Sequence, residues 1–272
     1  MAIMVVCGVA VVVALALTVR WRNYAFVPDS MTDASMVVRL RGLARILAVG
    51  ALTGLAVGTL FIGPAGRLAM RLLAATSPDA QGRITEADEV VGRITVGGTI
   101  GFWLFVGLPV GMVVGLVYVF VARALPRGLL GGAIYGATLL VLFSWWLDPL
   151  RAENPDFDLV GPGWLALTTF AILAVGAGAV TASVAGRLES SLREPSRAWL
   201  WWMVPIGLLA VPSLLFIWPA LVIVSLGCVV CLGLPAAAGF LRRRGRLVLQ
   251  AALGAAVLVA LPGFISAVAR IA

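Results

Sequence analysis

Residues 43–62 read LARILAVGALTGLAVGTLFI, and Arg45 is the only charged side chain in this run. An α-helix needs about 20 apolar residues to cross the hydrocarbon core of a bilayer, so the run predicts a membrane-spanning helix. Glycine recurs at every fourth position, which places it on one face of that helix. Gly63-Pro64 follows directly and is expected to break or kink the helix, because proline has no backbone N–H.

The same apolar character extends along the chain of 272 residues. Hydrophobic residues make up 62% of it, charged residues only 12%, and the mean hydropathy is +1.08. A soluble domain carries about 25% charged residues, so this composition is typical of a chain that folds in lipid. We therefore predict an all-α fold, a polytopic transmembrane helix bundle that forms a single domain over residues 1–272. The predicted spans are 2–19, 43–62, 94–121, 128–147, 164–185, 198–217, 220–241 and 247–267.

Arginine supplies all 20 basic side chains, and the net charge is +8. Because the arginines lie in short loops beside apolar runs, the positive-inside rule explains them better than nucleic-acid binding does. Eight spans with both termini outside place 14 arginines and four acids inside, against six arginines and eight acids outside. The arginine bias and the abundant Ala, Val and Gly favour a high-GC bacterium. We expect a multi-pass protein of a bacterial cytoplasmic membrane.

The absence of lysine and histidine excludes several kinds of site. No Schiff base can form without lysine, and no imidazole can bind a metal ion or haem without histidine. Cys228 and Cys231 form a CxxC near mid-membrane, where an apolar setting keeps thiols inert. We interpret them as small hydrophobic residues in a packed helix. We expect no cofactor, no metal site and no nucleic-acid partner.

Three successive predicted spans carry glycine at every fourth residue, a glycine-zipper pattern. The three sets are Gly50, Gly54 and Gly58; Gly107, Gly111 and Gly115; and Gly128, Gly132 and Gly136. A bare helix face of this kind lets another backbone approach closely, which matters where packing holds helices together in lipid. Packing inside the bundle is the simplest interpretation. The alternatives are a narrow pathway, a homo-oligomer interface and a face that binds a partner in a membrane complex.

Charged residues in the predicted outer segments form the candidate binding site. This outer cluster comprises Arg67, Arg71, Glu86, Asp88, Glu89, Arg93, Asp148 and Arg151. Arg67 and Arg71 are four residues apart and share a helix face, and their guanidinium groups suit a phosphate or carboxylate. The carboxylates suit acid–base chemistry or a hard cation. The alternative is that the arginines reach toward lipid head groups and the acids are a solvated surface.

One part of this region resembles a known group of proteins. The run GRLAMRLLA, residues 66–74, is followed by TEADEVVGRITVGGTIGF, residues 85–102. Together they resemble a stretch shared by multi-pass membrane proteins of high-GC, actinobacterial-type bacteria, over about a quarter of the chain. The group has no established activity, so the resemblance implies a membrane location and no catalytic residue.

Three functional classes remain open. No Asp, Glu or Arg lies deep inside a predicted span, which weighs against ion-coupled transport. The leading interpretation is a non-enzymatic membrane protein of the transport, channel or membrane-assembly kind, with membrane lipids as its partners. The second is a membrane-embedded enzyme that acts on a lipid or isoprenoid phosphate at the outer interface, with Glu86, Asp88 or Asp148 as acid or base. The third is a structural subunit of a membrane complex.

Overall fold

The computed structural model describes residues 2–26, 35–86, 89–147, 149–151, 153–192, 208, 213, 218–233 and 235–272. In this part of the chain the prediction of an all-α fold is confirmed, with one isolated β-bridge between Ile84 and Val90. The helices of the first half are α1 (Ala2–Arg20), α2 (Met36–Val57), α3 (Gly63–Ala75), α4 (Val96–Phe102) and α5 (Leu108–Val121). The helices of the second half are α6 (Gly128–Phe143), α7 (Asp156–Leu159), α8 (Gly163–Ser191), α9 (Trp218–Gly233) and α10 (Pro235–Ile271).

Five helical stretches of the described residues are long and apolar enough to cross a membrane. They are Ala2–Arg20, Met36–Ala75, Val96–Ala124, Gly163–Ser191 and Arg244–Ile271. Gly128–Phe143 and Ala220–Val230 are apolar but shorter. The predicted sixth span, 198–217, lies outside the described residues except at positions 208 and 213.

The predicted loop between the seventh and eighth spans is wrong. Helix α10 runs without interruption from Pro235 to Ile271 and includes the arginines at 242–244 and 246. Arginine is a good helix former, so a basic run does not by itself end a helix. The seventh helix is also shorter than predicted, because α9 ends at Gly233 and Pro235 begins the next helix, a position that proline favours.

A π turn interrupts each of the two longest apolar helices of the first half. Gly58–Ile62 joins α2 to α3, and the N–H of Gly63 donates to the carbonyl of Gly58, five residues back. Trp103–Gly107 joins α4 to α5 in the same way. Each π turn precedes an X-Pro pair, and the wider turn suits a residue that cannot donate a hydrogen bond. The helix therefore continues through Gly63-Pro64 and does not break there.

Helices α2 and α5 lie antiparallel and approach each other at glycine residues. A Cβ atom built on Gly54 would lie 2.6 Å from the carbonyl oxygen of Gly111. One built on Gly58 would lie 2.5 Å from the carbonyl oxygen of Gly107. Helices α6 and α8 approach in a similar way, where Gly132 faces the backbone of Gly178. Side chains at these points would displace backbone atoms, so glycine permits the observed helix separation.

The two helix pairs share one apolar core. Tyr135 of α6 is buried, and its hydroxyl donates a 2.7 Å hydrogen bond to the carbonyl oxygen of Val114 in α5. Its ring lies edge-on to Tyr118, with 5.2 Å between ring centroids. The outside of the bundle is apolar as well, since Phe105 and Ile172 are 77% and 66% exposed. Water would disfavour such a surface, whereas lipid suits it.

The charged residues separate to the two ends of the bundle. We call one the basic end; it holds the C-terminal ends of α1, α5 and α8, and there Arg45 of α2 pairs with Glu189 of α8 at 2.9 Å. Its described arginines are Arg20, Arg22, Arg39, Arg41, Arg45, Arg123, Arg127, Arg187, Arg244 and Arg246. The opposite end, the loop end, holds segments 76–95 and 144–162. Ser77 of the first segment donates to the carbonyl oxygen of Gly161 in the second at 2.8 Å.

Candidate functional site

The described members of the predicted outer cluster lie in the half of the molecule that faces the loop end. Arg67 and Arg71 belong to α3, and Glu86, Glu89 and Arg93 belong to the segment between α3 and α4. Arg151 belongs to the segment between α6 and α8. Asp88 and Asp148 lie outside the described residues.

Two members of the cluster join the loop segments to each other. One guanidinium nitrogen of Arg151 contacts both carboxylate oxygens of Glu86, at 2.6 and 2.5 Å. The backbone N–H of Glu86 donates to the Asp156 carboxylate at 2.9 Å. Because Arg151 is partly exposed and Glu86 is exposed, solvent screens the ion pair, which contributes about 0–1 kcal/mol to stability. Its role is to hold the two segments together over the end of the bundle.

Arg67 occupies a different environment, between α3 and α4. Its side chain is half-buried, and Nε donates to the hydroxyl oxygen of Thr99 at 3.3 Å. The guanidinium carbon lies 5.7 Å from the centroid of the Phe102 ring, a distance at which a cation and an aromatic face attract. Within the described part of the chain, no carboxylate lies within ion-pairing distance of Arg67. Arg67 is therefore oriented by Thr99 and Phe102 and forms no ion pair among the described residues.

The position of Thr99 follows from the start of α4. Thr95 caps this helix, since its hydroxyl oxygen accepts a 3.0 Å hydrogen bond from the N–H of Gly98. The Thr99 hydroxyl donates to the carbonyl oxygen of Thr95 at 2.9 Å, which leaves its lone pairs for Arg67. The capped helix end therefore fixes the acceptor that orients the guanidinium.

Glycine at position 98 leaves a small space that an arginine and an acid share. A Cβ atom built on Gly98 would lie 3.2 Å from Nη2 of Arg67 and 3.0 Å from Oε1 of Glu89. The two side chains approach this space without forming an ion pair. Chemically, the arrangement offers a guanidinium for an anionic group and a carboxylate beside it.

The remaining arginines of the cluster are not part of this arrangement. Arg71 and Arg93 are exposed, and no side-chain hydrogen bond or ion pair to either is found among the described residues. Sequence reasoning also missed Gly98 and Phe102 as neighbours of Arg67. A signal was present, because positions 95, 98, 99 and 102 follow the spacing of one helix face.

A small apolar cavity lies inside the described part of the bundle. It has a volume of about 30 Å³ and lies between α5, α6, α9 and α10, bordered by Val117, Leu139, Ile223 and Leu253 among others. Of the two cysteines whose environment is described, Cys7 is buried and Cys228 half-buried. No group of three or more Cys, Asp and Glu side chains suited to a metal ion occurs in the described residues.

In the part of the chain that the structure describes, the fold is a helical bundle with five helices suited to crossing a membrane and an oriented arginine toward one end. No protein-family model, no curated protein and no solved structure matches the chain.

Proposed function

We propose that the chain is a multi-pass protein of a bacterial cytoplasmic membrane that binds an anionic lipid or polyprenyl phosphate at the outer interface. In this proposal it serves transport or membrane assembly and is not an enzyme. The observation that carries the proposal is the half-buried, oriented guanidinium of Arg67, which has no carboxylate partner among the described residues. Charges removed from water are normally paired, so a bound anion would complete this site.

The orientation in the proposal places the basic end in the cytoplasm and the loop end outside. The arginine-rich basic end supports this orientation through the positive-inside rule. Helices α8 and α9 both end there, since Arg45 contacts the end of α8 and Arg39 donates to the carbonyl of Leu232. An additional crossing between them, at 198–217, fits the proposed total of eight. Helix α10 then returns, and its Arg270 approaches Glu153 at the loop end.

Thiol labelling in intact cells tests this orientation. In a variant with the native cysteines replaced, single cysteines at Ser191 and Gly245 should be protected from an impermeant reagent, whereas those at Asp79 and Glu153 should react. Residues 191 and 245 belong to the basic end and residues 79 and 153 to the loop end. All four should react in permeabilised cells. Labelling of the first pair alone in intact cells would show that the charge-based orientation is inverted.

Substitution of Arg67 tests the lipid site. We expect Arg67→Lys to reduce the adducts that the purified protein forms with phosphatidylglycerol or a polyprenyl phosphate, because lysine lacks the planar fork. Hydrogen bonds to charged groups contribute about 1.5–3 kcal/mol, so the loss should be about tenfold or more. Native mass spectrometry measures the adducts, and the thermal midpoint should stay near that of the wild type.

Two further variants complete this experiment. Arg83→Lys is the matched control, because Arg83 is an exposed arginine of the same loop end. Arg71→Lys is expected to have a smaller effect than Arg67→Lys, since Arg71 is exposed on the following turn. Equal adduct populations in the wild type and Arg67→Lys would remove this site from consideration.

A second candidate function is supported by Glu89. Its carboxylate shares the space over Gly98 with Arg67, which would suit a membrane enzyme acting on a lipid phosphate. Glu86, in contrast, is engaged by Arg151. An enzyme would change the mass of a bound polyprenyl phosphate during incubation, and Glu89→Gln would stop that change while adducts persist. A bound lipid whose mass stays constant favours the non-enzymatic function.

The third class, a structural subunit, concerns the glycine faces. We propose that the glycine repeats hold the bundle itself together, since Gly54 faces Gly111 and Gly132 faces Gly178 within the chain. A homo-oligomer or a complex partner would then require another surface. Gly97 and Gly101 of α4 offer one, because a Cβ atom built on either meets nothing within 4 Å.

A further inference from the structure

An open pocket of about 350 Å³ lies at the basic end, between the C-terminal ends of α1 and α8. Leu17, Arg20, Trp21, Tyr24 and Arg187 line it. The two arginines are far apart in sequence and meet only through the fold. The volume falls in the range of small-molecule pockets, about 300–1,000 Å³.

The wall that carries Arg187 is ordered by several contacts. Its guanidinium carbon lies 5.3 Å from the centroid of the Tyr24 ring, and one guanidinium nitrogen donates to the hydroxyls of Ser190 and Ser191. Tyr24 is fixed in turn, because its backbone passes directly over Gly186. A Cβ atom built on Gly186 would lie 2.7 Å from the Tyr24 carbonyl carbon. These contacts orient the guanidinium of Arg187.

The charged side chains that line the described part of the pocket are both positive. Among the described residues no acidic side chain lines it, so Arg20 and Arg187 are not neutralised by the described lining residues. Glu189 is the nearest acid to Arg187 along the chain, and it pairs with Arg45 of α2 at 2.9 Å. Arg20 also lies in the last turn of α1, where a cation interacts favourably with the partial negative charge of the helix end. This interaction with the helix end does not depend on a pocket that aromatic side chains line between two helices.

The position of the pocket along α1 indicates the kind of anion. Leu17 belongs to the apolar stretch of α1, whereas Arg20, Trp21 and Tyr24 follow where that stretch ends. Tryptophan and tyrosine favour the level of lipid head groups, and basic pockets between helices on the cytoplasmic side bind anionic head groups. A ligand with a phosphate and an adjoining apolar tail matches this order of residues.

We propose that this pocket binds the phosphate-bearing head group of an anionic phospholipid from the leaflet at the basic end. The guanidinium groups of Arg20 and Arg187 contact the phosphate, the aromatic rings of Trp21 and Tyr24 flank the head group, and Leu17 contacts the start of an acyl chain. The site is separate from Arg67, which lies toward the opposite end of the bundle. It does not depend on the lipid site proposed there.

Native mass spectrometry of the full-length protein tests the pocket, with phosphatidylglycerol and phosphatidylcholine as probes. Arg20→Gln and Arg187→Gln should each reduce phosphatidylglycerol adducts about fivefold or more. The variant that carries both glutamine substitutions should no longer bind phosphatidylglycerol in preference to phosphatidylcholine at the basic end. Arg127→Gln is the matched control, because Arg127 is an exposed arginine of the basic end outside the pocket. Thermal midpoints near that of the wild type in all variants check that binding, rather than folding, is affected.

The outcomes separate a lipid site from its alternatives. Phosphatidylglycerol adducts that persist in Arg67→Lys, and are lost when Arg20→Gln and Arg187→Gln are added to that variant, support the proposal whatever the fate of the site at Arg67. Adduct populations in the double glutamine variant equal to those of Arg127→Gln would overturn it. Inorganic phosphate is the third probe and tests whether the pocket takes free phosphate instead of a lipid. If it raises the thermal midpoint of the wild type but not of the double variant, and phosphatidylglycerol has no such effect, the pocket takes free phosphate and the lipid assignment is wrong.

Discussion

Replacing Gly111 by leucine is expected to separate α2 from α5 and to lower the thermal midpoint of the detergent-solubilised protein by about 10 °C or more. A Cβ atom at position 111 would lie 2.5 Å from both the carbonyl oxygen of Gly54 and the Cα of Gly58. Both are backbone atoms, so no side-chain rotation can relieve the overlap. Overpacking costs about 1–3 kcal/mol where side chains can adjust, and more is expected where a helix must move.

The chain supplies controls for this substitution. Gly97→Leu introduces the same side chain where a built Cβ meets nothing within 4 Å, so its thermal midpoint should stay near that of the wild type. Gly132→Leu, at the interface of α6 with α8, should reproduce the large effect. If neither Gly111→Leu nor Gly132→Leu changes the thermal midpoint, those faces contact lipid and the packing proposal is wrong.

Replacing Tyr135 by alanine should destabilise the protein by about 3–5 kcal/mol, the range for removing a large buried aromatic side chain. Tyr135 lies where α5 and α6 meet, so its removal leaves a cavity between the two glycine-containing helix pairs. The existing cavity already borders Tyr135, and the two spaces would merge. Chemical denaturation in mixed micelles, followed by circular dichroism, measures the free energy of unfolding.

Tyr135→Phe separates the hydrogen bond from the packing. It removes the 2.7 Å bond to Val114 and keeps the ring, so the expected cost is about 0.5–1.5 kcal/mol. A Phe variant as unstable as the Ala variant would mean that the hydrogen bond, rather than the ring, joins the helix pairs. An unchanged Ala variant would show that the two pairs fold independently.

The helices could be predicted from sequence where hydrophobic length defines them. Helix α1 was expected over 2–19 and extends over Ala2–Arg20, because an uninterrupted apolar run allows few alternatives. The start and end of α10 could not be predicted in this way. Its arginines suggested a loop, yet arginine suits a helix, and the chain has no proline at that point to end one.

The candidate site could be predicted only in part from the sequence. Arg67 and Arg71 lie on the same helix face and have the same chemistry, so the sequence gives no reason to distinguish them. In the structure Arg67 lies opposite Thr99 of the antiparallel helix α4. Arg71, about 6 Å further along α3, lies opposite the start of that helix, where few partner side chains remain. Which of the two arginines is oriented therefore depends on where α4 begins. Because α4 is distant in sequence, the residues around each arginine do not reveal it.

The π turn at Gly58–Ile62 determines the side of the molecule on which Arg67 lies. A π turn acts as a one-residue insertion, and each residue of an α-helix advances the helical phase by about 100°. Without it, the nine steps from Gly58 to Arg67 would leave the arginine about 180° from the glycine face. With it, the offset is about 80°, so the arginine lies on the flank that faces α4. If the same residues formed a regular α-helix, the guanidinium would turn away from Thr99 and Phe102. Deletion of one residue from the turn would leave eight α-helical steps, an offset of about 80° again, and would keep the arginine on its side.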